Sequence, residues 1–287
     1  MNRPAALAAA LGLAALASTP ALSEGEGARD VAAESASAGC AVPPFLMAIA
    51  PAEARVAGRI DRGEALTIVA VGSSSTLGTG ASAPELSYPS RLEAELKARF
   101  PSIVIRVINR GKGGEDVAEE LARLDQDVIA MHPDLVIWQV GTNAVLRRDD
   151  LSADRELIER GVALLKASGS DVVLMDLQYA PRVIARPAYA EMEQLIANAA
   201  KSAQVGLFRR FEIMQHWPAV TQADAAAPMA ETTAETMIGR DGLHMTDRGY
   251  FCLAADLAEA LAWNWWSQEG ANERPSAARI AHLAGPR

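Results

Sequence analysis

Leu66-Thr-Ile-Val-Ala-Val-Gly-Ser-Ser74 is apolar and rich in β-branched residues up to Val71, then turns abruptly polar. A short apolar run without alternation reads as a strand buried on both faces, the kind found inside a parallel sheet. Ile103 to Asn109, Leu135 to Gly141, Val172 to Gln178 and Val205 to Phe208 repeat the pattern. Helical spacings lie between them: Leu92, Leu96 and Phe100; Val117, Leu121, Leu124 and Val128; Leu157, Leu164 and Leu165; Met192, Leu195 and Ala199. Steps of three, four and seven place each set on one helix face. Thr246 or Asp247 can cap a final helix carrying Tyr250, Leu253, Leu257 and Leu261. Alternation of strand and helix over this length predicts a parallel sheet covered by helices on both sides.

Outside this region the chain changes character. Residues 1–23 have a basic start, a short apolar run and a small-x-small site, and read as a secretory signal peptide. The run is shorter than the ~20 residues a bilayer span needs, so no lasting membrane insertion is expected. Residues 24–62 form an N-terminal arm whose first part, to about 42, is rich in Ala, Ser, Glu and Gly and reads as a flexible lead-in. The 215–240 stretch reads as a long loop or short-helix excursion, and 269–287 as a polar tail. A net charge of −9 with no basic cluster argues against nucleic acid, which demands Lys and Arg. With only Cys40 and Cys252, cysteine-rich zinc sites are excluded. The two can pair in an oxidising compartment, clamping the arm to the last helix, or remain buried thiols. Cys40 follows Ser-Ala-Gly, but too far beyond the apolar run to serve as a lipoprotein site.

Ligands on open parallel sheets bind beyond the carboxyl ends of the strands, so residues just past each run are the candidates for chemistry. Gly72 is followed by Gly78 and no lysine, which fails the phosphate-loop pattern, and Gly78-Thr-Gly80 begins too late for a dinucleotide fingerprint. Ser74 sits where a strand turns, with its hydroxyl exposed and free backbone N–H groups nearby; turn or cap residues are the ordinary explanation for such a cluster. Gly111, Gly113 and Gly114 let backbone N–H groups approach a reacting oxygen, more glycine than one tight turn needs. Asn143 can donate its amide to a developing oxyanion, or simply cap the next segment. Asp241-Gly-Leu-His244 presents a base and a carboxylate from one short loop. His132 lies at a strand entrance, His216 in the irregular stretch and His282 in the tail, which leaves His244 as the base.

Taken in order, these strand ends resemble the SGNH, or GDSL-type, esterase and lipase superfamily from about Leu66 to Leu261. Gly72-Ser-Ser-Ser-Thr-Leu-Gly78 matches its first block except that Ser73 replaces the usual aspartate. Asn109-Arg-Gly111-Lys-Gly-Gly114 matches the second. Gly141-Thr-Asn143 matches the third, with Ala144 in place of an aspartate, and Asp241 with His244 matches the last. The resemblance implies a hydrolase domain over 63–268 with a flavodoxin-like three-layer α/β/α fold. Its five-stranded parallel sheet would have order 2-1-3-4-5 and carry an open groove. It also implies Ser74 as nucleophile, His244 and Asp241 as its base and orienting carboxylate, and an oxyanion hole of Ser74 N–H, Gly114 N–H and Asn143. No metal or organic cofactor is expected. An exported serine esterase acting on a short-chain or acetyl ester follows. An acyltransferase using a periplasmic or cell-wall glycan as acceptor shares the first half-reaction. A non-catalytic glycan-binding protein on the same scaffold is motivated by the two lost aspartates.

Overall fold

The computed structural model describes residues 40, 42–51, 53–147, 151–217 and 236–266. The expected signal peptide, the tail and most of the 215–240 stretch lie outside them. Five parallel strands, β1 (Leu66–Gly72), β2 (Ile105–Gly111), β3 (Leu135–Gln139), β4 (Asp171–Met175) and β5 (Gly206–Phe208), form one sheet in the order β2-β1-β3-β4-β5. On one side, helix α11 (Asp247–Trp266) packs with α1 (Ala54–Asp61) and α3 (Tyr88–Arg99). On the other, α7 (Ser152–Ala167) packs with α4 (Val117–Ala122) and α9 (Tyr189–Ala203). The chain is thus a three-layer α/β/α sandwich with the flavodoxin-like strand order.

The central strands are apolar on both faces because both faces are covered: every residue of β3 is buried, and in β1 only Thr67 is half-buried. β2 departs from the expected pattern. It begins two residues later than its apolar run and extends to Gly111; Arg106 is exposed and Val107 to Gly111 are only half-buried. An edge strand with a single neighbour tolerates this, and Arg106 and Arg110 charge the edge. The helix expected across Val117 to Val128 is interrupted. α4 opens with a capping box, in which the Asp116 side chain accepts from the Ala118 and Glu119 amides while Glu119 accepts from Asp116 N–H. It ends at Arg123 (φ −113°), where a separate short helix α5 (Leu124–Asp127) starts. The break turns the buried Arg123 guanidinium inward to donate to the Gly72 carbonyl at 3.2 Å and to pair with Glu115 at 2.6 Å. Val117, Leu124 and Val128 remain buried on the expected face.

Thr246 caps α11: its hydroxyl accepts from Gly249 N–H at 3.3 Å and its carbonyl from Tyr250 N–H at 2.9 Å. Tyr250, Leu253, Leu257 and Leu261 are all fully buried, so this helix closes the core. Cys252 on α11 is joined by a disulfide to Cys40, 212 residues earlier. Between Cys40 and β1, Leu46, Ile49 and Val56 bury themselves in the same core, and Val56 N–H donates to Asp171 at the start of β4. Among the described residues, no helix is long and apolar enough to cross a membrane.

Candidate active site

Register brings the strand ends into one row, since Gly72 pairs with Gly111 and Gln139 with Met175, which in turn pairs with Phe208. The ends of β1, β2 and β3 and the segments that follow them carry Ser74, Gly111, Gly113, Gly114 and Asn143, and the segment before α11 brings His244, with Asp241, to Ser74. Beyond β1 the chain turns into the single-turn helix α2 (Ser74–Leu77), with the buried Ser73 as its cap residue. Ser74 opens the helix, so its N–H has no carbonyl one turn earlier to bond. Its hydroxyl lies 2.8 Å from His244 Nε2.

His244 is held from behind by Asp241, whose Oδ2 is bonded to Nδ1 and whose Oδ1 accepts from the Leu243 and His244 amides at 3.0 Å each. Partial burial works to raise the Asp241 pKa, but the bonds from the His244 and Leu243 amides and the imidazole outweigh it and hold the carboxyl below its usual range. An ionised carboxylate can only accept, so Nδ1 carries the ring proton and Nε2 is left as acceptor for the Ser74 O–H. The pair is open to water: the His244 side chain is 17% exposed and that of Asp241 45%. Gly242 N–H bonds Gly239 O, and Gly242 O accepts from Arg182 N–H, which ties the loop to α8 (Pro181–Ile184).

The second and third loops meet each other. Asn143, in α6 (Thr142–Arg147), donates one amide hydrogen to the Glu115 carbonyl at 2.8 Å and so does not cap its own helix. An amide nitrogen has two hydrogens, so this bond orients the group and leaves a second to offer. Gly114 adopts φ +85°, a conformation that L side chains resist, and its carbonyl is bonded by Arg147. Asn109 acts as a staple rather than a donor to the site: its Nδ2 bonds the Thr76 carbonyl at 2.9 Å and its Oδ1 accepts Gly111 N–H at 2.9 Å, locking β2 to α2.

Of the other histidines, His132 has φ +50° at the end of a 3-10 turn and His216 bonds the Glu212 carbonyl; His282 lies outside the described residues. Among the described residues, no group of three or more His, Cys, Asp or Glu side chains could hold a metal ion. Two residues around the site carried no sequence signal. Gln139, at the end of β3, and Arg210, at the start of α10 (Arg210–Gln215), are fully buried polar side chains directly beneath the Ser74 turn. Buried polar residues are uncommon in such positions, but nothing in spacing or composition separates them from surface ones.

A model of the non-GDSL lipase-like family matches residues 39–263. An acetylxylan esterase from Geobacillus stearothermophilus is 39% identical over 85 residues, which cover 30% of this chain and 36% of that protein. An arylesterase from Vibrio mimicus is 32% identical over 97 residues, 34% of this chain and 48% of that protein. The chain therefore spans between about a third and a half of the length of these relatives. Two solved structures share the fold. A two-domain esterase active on acetylated mannans has TM-score 0.62 and 22% identity over 81% of this chain and 60% of that one. A putative G-D-S-L family lipolytic protein from Desulfitobacterium hafniense has TM-score 0.53 and 20% identity over 68% of this chain and 99% of that one.

Proposed function

This chain belongs to the non-GDSL lipase-like family, within the SGNH-type hydrolases, and from that premise we propose that it is a serine esterase cleaving a short O-acyl ester through an acyl-enzyme on Ser74. The observation that carries the reading is the 2.8 Å contact between Ser74 Oγ and His244 Nε2, with Asp241 on the far ring nitrogen. In the first half-reaction the Ser74 oxygen bonds to the ester carbonyl carbon as its proton passes to Nε2. The carbonyl electron pair moves onto oxygen, where the Ser74 N–H, the Gly114 N–H and the second Asn143 amide hydrogen are the donors assigned to receive it. Collapse expels the alcohol, which takes the proton from Nε2. In the second half-reaction water gives its proton to Nε2 and attacks the acyl carbon. Collapse then returns that proton to Ser74 and releases the acid. Asp241 keeps the ring in one tautomer and offsets the charge of the imidazolium formed in each step.

Two observations support a short acyl group on an extended alcohol. The triad opens to solvent, as a group carried on a polymer requires. The sequence relatives are an acetylxylan esterase and an arylesterase. We assign the acyl acceptor as water, so the acid and not a transferred ester should accumulate. Export completes the reading, supported by the apolar run near the N-terminus and by the Cys40–Cys252 disulfide, a bond that persists in oxidising compartments. The test is hydrolysis of a panel of short and long acyl esters and of acetylated polysaccharides, with Ser74→Ala alongside. Rapid turnover by folded Ser74→Ala, or failure of a phosphonate ester to label Ser74, defeats the assignment.

A further inference from the structure

Beneath the Ser74 turn lies a buried polar network that the chemistry above does not use. Gln139 Oε1 accepts from Ser73 N–H at 3.1 Å, Ser73 Oγ at 3.2 Å, Ser75 Oγ at 3.0 Å and Thr76 Oγ1 at 3.2 Å. One carboxamide oxygen therefore gathers both residues flanking the nucleophile. Arg210 reaches the same turn, donating to Ser75 Oγ at 3.1 Å, to the Asp176 carbonyl at 2.6 Å and to Gln178 Oε1 at 3.0 Å. Gln178 Oε1 also accepts from Thr142 Oγ1 at 3.0 Å, and Gln178 Nε2 lies 3.5 Å from the Leu243 carbonyl. Thr142 is the neighbour of Asn143, and Leu243 the neighbour of His244. The nucleophile, the oxyanion amide and the base are thus each one residue away from a group bonded within this network.

Stability alone is a poor explanation for it. A guanidinium with no solvent exposure is costly to bury, and a well-packed apolar replacement is often neutral or stabilising. Arg210 Nε is buried with no acceptor among the described residues, an expense a purely stabilising cation would shed. What the network does achieve is geometric. It ties three loops from different strands to shared acceptors, and catalytic geometry tolerates little slack.

We propose that Gln139 and Arg210 are positioning residues for acyl transfer: the Gln139 oxygen sets the Ser74 turn, and Arg210 with Gln178 registers that turn against the Asn143 and His244 loops. This rests on Ser74 being the nucleophile, so the test has one arm that needs the reaction and one that does not. The first is the rate constant for labelling of Ser74 by a fluorophosphonate, together with kcat and KM on a short ester, for wild type and variants at a temperature where all are folded. The second is the Ser74 Oγ to His244 Nε2 separation in crystal structures of the same proteins.

Gln139→Met, close in shape but without the acceptor, is expected to label and turn over roughly 10²-fold more slowly with KM nearly unchanged. Gln139→Glu, which restores an oxygen acceptor, should recover to within about tenfold of wild type, a rescue that a space-filling role would not show. Arg210→Met, which removes the guanidinium donors, should slow labelling by about tenfold, and where it fails to fold Ser75→Ala, which removes the Arg210 and Gln139 bonds at a small residue, carries the same expectation. In Gln139→Met the Ser74–His244 contact should be lost in the crystal. Unchanged labelling and an intact contact in both Gln139→Met and Ser75→Ala overturn the positioning role while leaving the esterase reading in place. If wild-type Ser74 resists labelling, it is the esterase reading that fails, and the crystallographic separations alone decide whether Gln139 and Arg210 set the turn.

Discussion

Gly111 offers the sharpest test of how tightly Ser74, the proposed nucleophile, is built in. A methyl group added at this Cα would sit 2.1 Å from the Leu77 nitrogen, 2.6 Å from the Thr76 carbonyl carbon and 2.7 Å from Leu77 Cα. All three are backbone atoms of α2, the turn of helix that begins with Ser74. Ordinary contact starts at 3.4 Å, so in Gly111→Ala the two backbones must separate by about 1.3 Å. They cannot do so freely, because the Asn109 amide bridges them, bonding the Thr76 carbonyl on one side and Gly111 N–H on the other. Overpacking of this kind costs about 1–3 kcal/mol of stability, and displacing a reacting group by an ångström costs roughly 10²-fold in rate. Gly113→Ala is the internal control: its added methyl would meet only Leu77 Cδ2, at 3.8 Å, and should change stability by no more than about 0.5 kcal/mol. Urea unfolding followed by tryptophan fluorescence, with kcat on a short ester for the folded protein, reads both effects. If Gly111→Ala keeps wild-type midpoint and kcat, the close seating of β2 on α2 has no bearing on catalysis.

Asn143→Ala should lower kcat by about 10²–10³-fold with the fold retained by circular dichroism, the usual consequence of losing one oxyanion donor. An unchanged kcat would remove Asn143 from the oxyanion hole. Cys252→Ala opens a cross-link between residues 212 apart and should lower unfolding free energy by about 2–5 kcal/mol in urea. Asp256 is pushed up to about 8, chiefly by burial and against the pull of the Trp217 indole. The folded chain then holds a proton that the unfolded chain has released, so stability falls as pH rises from about 4 to about 8, by at most about 1.4 kcal/mol per pH unit. Asp256→Asn keeps an acceptor for Trp217 Nε1, 2.9 Å away, and should flatten the decline in Tm across that window. A variant whose Tm falls as steeply as wild type would relieve Asp256 of that role.

Much of the sheet was legible because burial on both faces leaves a plain mark. Leu66–Gly72 is recovered residue for residue as β1, since all of it but the half-buried Thr67 is buried. β2 was misplaced by its own pattern: Ile103 is apolar and buried, but it packs before the strand begins, while Arg110 and Gly111 pair in the ladder without looking like strand residues. Main-chain bonding there is decided by the neighbour, β1, and not by local side chains. The interruption at Arg123 was illegible for a related reason. Hydrophobic spacing continues through it, while the Arg123 guanidinium bonds the Gly72 carbonyl, a partner 51 residues away that local spacing does not report.

The site divides along the same line. Ser74, Gly114, Asn143, Asp241 and His244 stood out because each needs a particular atom at a strand end, and a residue type reports its atoms. Gln139 and Arg210 report nothing until the sheet places them under the turn. Gln139 also gives physical meaning to one of the two departures from the resembled motif, and burial to the other. Ser73 donates to Gln139 Oε1, whereas an aspartate carboxylate there would set acceptor against acceptor in a space that is 3% exposed. Ala144 is completely buried, so an aspartate in its place would need a partner to offset its desolvation. Serine with glutamine forms a neutral solution to the same problem of holding the turn. Ser73→Asp in the otherwise unaltered chain should therefore lower kcat on a short ester, because the carboxylate replaces a hydroxyl that donates to Gln139 Oε1. A kcat for Ser73→Asp at or above wild type would show that the motif letter, and not its buried partner, governs the turn.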